Sequence, residues 1–155
     1  MLKRLLFQPF QPRTDFGLLI LRVVAFTPLF LKHGTEKLFR FQHMAQHFPN
    51  PLHIGAAPSL TFALISDAIC SVLLFLGLAT RWAALITFVN IFVAWAFVHH
   101  FVLFGPQGDH GEVIVLYLAA AATLFFAGAG RFSVDRLIVG RSGVRGRLRQ
   151  HVSAD

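Results

Sequence analysis

The sequence predicts an all-α integral membrane protein, a bundle of four helices, and three observations predict it. Hydrophobic residues fill 55% of the 155 positions and the mean hydropathy is +0.64, while charged residues fill only 14%. An ordinary soluble domain carries about 25% charged residues. The apolar residues gather into four stretches, each near the roughly 20 residues that cross a hydrocarbon core. The charges fall between those stretches, toward the end of the first one, or sparsely within them. A soluble fold this small needs more surface charge than this, and the hydrophobicity excludes disorder. A lone cysteine, Cys70, excludes an intrachain disulfide and a CxxC redox pair. Redox chemistry would therefore come from a bound cofactor or a partner.

The first span is expected over 16–39, with Arg22 inside it. It is not expected to be a cleaved signal peptide, because Thr27-Pro28 stands where small residues would be needed. Pro28 frees the carbonyl of Val24, so a kink is expected near mid-membrane. In the following segment Phe39, Phe41, Met44 and Phe48 alternate with Gln and His, which predicts a short helix lying in the interface. Pro49, Pro51, Gly55 and Pro58 predict an irregular descent into the second span, 60–79, whose only charge is Asp67. The third span, 82–101, carries Asn90 as its only amide. The fourth, 112–129, contains the run Ala119 to Thr123, which suits close helix contact. Gly128 and Gly130 can end that helix, and Ser133 can cap a short cytoplasmic one from about Val134. The spans take up roughly half the chain, so one domain over 1–155 with a basic tail over 131–155 is expected.

Lys and Arg set the expected orientation. With both termini cytoplasmic, ten basic residues lie inside, and Lys32, Lys37 and Arg40 lie outside. The net charge of +7 comes mostly from the tail, so it points to topology and anionic headgroups rather than to nucleic acid. The expected location is a bacterial or archaeal inner (plasma) membrane.

Ionised groups inside a membrane normally face protein. Arg22 and Asp67 are the deep base and the deep acid, and an antiparallel arrangement placing Asp67 beside Thr27 makes an Arg22–Asp67 ion pair the expected arrangement. Such a pair serves either as packing or as part of a site. His33, Glu36 and Lys37 close the first span, His99 and His100 close the third, and Asp109, His110 and Glu112 open the fourth. His33, Lys37, His99 and Glu112 are the candidates for proton or quinone handling, since imidazole titrates in the useful range and a boundary carboxylate passes protons on. His43 and His47, four apart, are weak metal candidates without a third ligand, and no metal is expected. Nucleotide, serine-hydrolase and haem signatures are absent.

Three segments, in order, resemble the DoxX family. The first is LRVVAFTPLFLKHGTEKLF, with Arg22, His33-Gly34 and Lys37-Leu38. The second is SDAICSVLLFLGLATRWAAL, with Gly77, Leu78, Thr80 and Arg81. The third is GEVIVLYLAAAATLFFAGAGRFSVD, with Gly128, Gly130, Ser133 and Asp135. The family usually carries Glu where Asp67 stands, which shortens the reach toward Arg22. The family is similar to the small membrane subunit of archaeal thiosulfate:quinone oxidoreductase, and other relatives assist redox or thiol homeostasis or the maturation of partner proteins. The resemblance thus implies a membrane subunit of a quinone-linked redox system, with a quinone and a protein partner or homo-oligomer. The alternative is a non-catalytic scaffold or assembly factor. A small transporter fits least, for want of an inverted repeat.

Overall fold

The computed structural model describes residues 11–104 and 111–138. Asp109, His110, Lys3, Arg4 and the tail beyond 138 lie outside the described residues. Helix α1 (11–39) runs as α-helix over Gln11–Pro28, as π-helix over Leu29–Gly34 and as α-helix again over Thr35–Phe39. The short α2 is Phe41–Met44, α3 is Ala56–Leu76 and α4 is Thr80–Val98. Helix α5 is Gly111–Ala127, and a last short helix, α6, spans 134–138. No strand occurs among the described residues.

Long α1, α3 and α4 are apolar enough to cross a bilayer. At 17 residues, α5 is shorter, about 26 Å, at the lower limit for a span. The order and number of helices agree with the sequence; their ends do not. Helix α3 starts at Ala56, four residues before the expected 60, and the turn into α4 begins at Gly77 rather than after 79. The interfacial helix is a single turn. The descent after it is shaped by the Asn50 side chain, whose Oδ1 accepts from the Gly55 N–H at 3.0 Å and the Ser59 hydroxyl at 3.3 Å.

The core is made of Phe26 and Leu29 from α1, Cys70 and Leu74 from α3, and small residues where α4 meets α5. Ala83 and Ala84 on α4 face Ala120 and Ala121 on α5, and all four are buried. In a bilayer that contact gains from dispersion rather than from expelled water, so small side chains that let backbones approach are what it needs. Large apolar residues are left on the outside, among them Val24, Leu31, Leu116 and Phe126, as lipid requires.

Two features were not expected. Helices α1, α3 and α4 each contain a π-helical stretch, over Leu29–Gly34, Ile65–Cys70 and Ala94–Val98. In α1 it begins directly after Pro28, where the missing N–H has already broken the α-helical ladder. The second is the register of α1 on α3. A Cβ at Gly34 would sit 2.5 Å from the backbone oxygen of Asp67. Asp67 therefore lies beside Gly34, not Thr27, seven residues and about 10 Å further along α1. Only glycine permits that approach.

Candidate functional site

The register separates the buried charges into two sites at opposite ends of the bundle. The expected Arg22–Asp67 pair does not form; each residue has other partners. Asp67 sits at the level of Gly34, more than three helical turns and about 18 Å along α1 from Arg22, further than an arginine side chain reaches.

At one end Arg22 is fully buried. Its Nη2 donates to the carbonyl oxygen of Phe132, 110 residues away, while Nε and Nη1 have no hydrogen-bond partner among the described residues. Nη1 packs over the bare α-carbon of Gly77, which stands at φ +70 in the turn between α3 and α4. Ala79, with φ 48, follows and begins α4 without a side-chain cap of its own. The cap comes from Asp135 instead. Its carboxylate accepts from the Ala79 N–H at 2.7 Å, the Thr80 N–H at 3.0 Å and the Thr80 hydroxyl at 2.8 Å. The Asp135 N–H in turn donates to the Gly77 carbonyl at 2.9 Å. A carboxylate against two unpaired N–H groups at a helix start is doubly favourable, through the hydrogen bonds and the helix dipole. Burial works against the Asp135 carboxylate. The Thr80 and Ala79 hydrogen bonds and the Arg22 charge outweigh it and hold the pKa below the usual carboxylate value. Asp15 fastens the same end to the start of α1, accepting from the Arg131 N–H at 2.8 Å. This is a clasp, and its residues form the Gly-Leu-x-Thr and Gly-x-Gly-x-x-Ser-x-Asp motifs of the sequence. It also puts Asp15 and Arg131, near the two ends of the described chain, at one end of the bundle.

At the other end Asp67 pairs with Lys37, at 2.8 Å between Nζ and Oδ2, with side chains only 8% and 10% exposed respectively. The second carboxylate oxygen accepts from the Ser66 hydroxyl at 3.0 Å and the Asn90 amide at 3.1 Å. A buried carboxylate with three donors on its two oxygens is satisfied as an anion. Lys37 also approaches the carbonyl of His33, at 3.4 Å. This cluster opens on a cavity of about 650 Å³. Its polar wall is Lys32, His33, Lys37, Asp67, Asn90 and His99, with Tyr117 across from α5. The rest is apolar, from Leu29, Phe62, Ile91 and Ile114 to Leu52 and Ile54 of the descending segment. The three π-helical stretches all contribute to it, through Leu29, Lys32 and His33, through Asp67, and through Ala94 with Val98.

Of the expected residues, the structure brings His33, Lys37 and His99 to one cavity and leaves Glu112 out. Glu112 is exposed, because Val113, Ile114 and Tyr117 turn the cavity face of α5 inward and the adjacent position points about 100° away. His43 and His47 do come together, with ring centroids 6.4 Å apart, yet no group of three His, Cys, Asp or Glu forms among the described residues. Lys32 and Asn90 were missed as site residues. Asn90 had a signal, being the one amide of its span; Lys32 carried only a topological meaning.

A family model described as DoxX matches residues 17–100 of this chain. That stretch runs from α1 to the end of α4 and includes the whole Lys37–Asp67–Asn90 cluster. A Haemophilus influenzae protein described as uncharacterized is 34% identical over 129 residues, covering 77% of this chain and 89% of its own length. No solved structure matches the chain.

Proposed function

The chain belongs to the DoxX family of multi-pass membrane proteins, and from that premise we propose that it is the membrane subunit of a quinone-linked redox system, with the cavity as its quinone site. The proposed location is a bacterial or archaeal plasma membrane, with both termini cytoplasmic and the cavity in the outer half. One observation carries the reading: an apolar cavity within a bilayer protein has most of its hydrogen-bond donors, and the only deep ion pair among the described residues, gathered on one wall. A volume of about 650 Å³ lies within the range of sites for small ligands, and the wall suits a ring with carbonyl oxygens and an apolar tail.

A bound quinone would accept two electrons, supplied by a partner subunit, and two protons. The chain's own residues provide the setting. Asp67, held by Ser66 and Asn90, fixes Lys37 in a place where an isolated ammonium would be costly. Lys37 then has N–H donors to place against a carbonyl oxygen. His33 and His99, on the same cavity, carry ring nitrogens able to hydrogen-bond a ring oxygen and to pass a proton to it.

The test is gentle purification in mild detergent, followed by mass spectrometry of extracted lipids and of copurifying chains. The expected result is about one quinone per chain in the wild type and a loss of at least tenfold in a Lys37→Met/Asp67→Leu double variant. A fixed partner chain with no quinone in the wild-type sample would overturn the reading in favour of an assembly scaffold.

A further inference from the structure

The cavity's charge has a consequence for its ligand. Among the described residues, Asp67 is the only carboxylate on the cavity wall, and its oxygens already serve Lys37, Ser66 and Asn90. Glu36 and Glu112 do not line it. Lys37 is neutralised by its partner, but Lys32 lines the same wall, is exposed, and has no ion pair with a described residue. By the formal charges of Lys32, Lys37 and Asp67, the wall carries one positive charge in excess. That charge faces an apolar space flanked by lipid, where Coulomb energies are several times larger than in bulk water.

We infer that the cavity selects amphiphiles whose polar head is an anion, and that Lys32 is the residue that selects them. The shared chemistry is an ionised oxygen on an apolar body, which either an acidic hydroxyquinone or a long-chain carboxylate supplies. The inference rests on the cavity being a ligand site, as proposed above, but not on that ligand being a quinone.

Binding to the full chain in neutral detergent at pH 8, above the ordinary imidazole range, separates these possibilities. The probes are 1,4-naphthoquinone, its 2-hydroxy derivative, which has nearly the same shape but is ionised, and palmitate. The hydroxy derivative is expected to bind about tenfold more tightly than the neutral ring, the scale of one added charge contact at a partly wet site. Lys32→Gln should remove the preference, weakening the hydroxy derivative about tenfold more than the neutral ring, and Lys32→Arg should restore it. The exposed position of Lys32 means that neither substitution disturbs folding. Equal affinity for the two naphthoquinones, or a preference that survives in Lys32→Gln, overturns the inference while leaving the quinone reading standing. Palmitate binding that depends on Lys32, with neither naphthoquinone bound, supports the inference and overturns the quinone reading. Failure of all three probes to bind overturns both.

Discussion

The two ends of the bundle treat a buried charge in opposite ways. At the clasp end, Arg22 is closed in by backbone: a carbonyl from Phe132, the α-carbon of Gly77 and the turn that Asp135 caps. There is no room beside it for anything else. At the cavity end, Lys37 and Asp67 are also buried, yet they form the wall of a space. The difference teaches that burial of a charge in a membrane protein does not by itself mark a site. A charge closed in on every side by the chain serves assembly; one that is paired and still borders a cavity is free to serve a ligand.

The largest expected effect breaks the cavity-end pair. Lys37→Met leaves Asp67 as an unpaired buried carboxylate, a cost of about 3–5 kcal/mol. The double variant Lys37→Met/Asp67→Leu should recover most of it. Thermal unfolding in detergent reads both. A double variant no more stable than the single one would mean that the pair holds the helices together and is not poised for a ligand.

Next comes the clasp. Gly77→Ala forces a side chain into the left-handed region, about 1–2 kcal/mol, and drives its Cβ into Arg22 and the Cβ of Ser133. Stability should fall by about 2 kcal/mol or more. Affinity for whatever the cavity binds should stay as in the wild type. A matching loss of affinity would join the two ends into one functional unit.

The smallest effect concerns Asp135. Its pKa is lower in the folded chain than in the unfolded one, so its contribution is complete above the unfolded carboxylate value, near 4. That contribution declines as the pH falls through the lower folded value. Asp135→Asn should cost about 1–2 kcal/mol at neutral pH, and the deficit against wild type should shrink on acidification below pH 4. A deficit that is the same at every pH would show that the hydrogen bonds, and not the charge, make the cap.

Much of this was legible in the sequence. Composition and apolar run length gave the four helices, and the Gly-rich and Asp-containing motifs marked the clasp residues. The register of α1 on α3 was not legible. Pairing the deep base with the deep acid assumes that they lie at one level, whereas close packing of Gly34 on the Asp67 backbone fixes the levels instead. Matching the one glycine in the outer half of the first span to the small-residue stretch Ser66–Asp67–Ala68 would have found it. The π-helical stretches were hidden because a search at 100° per residue assumes the α-helical ladder throughout. Glu112 was misplaced for a simpler reason: chemistry chose it, and the face of its helix did not.

Asp135 stands 55 residues beyond the threonine whose amide it caps. During synthesis, therefore, α4 enters the bilayer with its first amides bare, and they stay so until the last short helix has been translated. All four apolar helices have been translated before the protein can lock. A ribosome that stops just short of Phe132 would release a chain with every apolar helix made and nothing to hold Arg22, a natural substrate for membrane quality control.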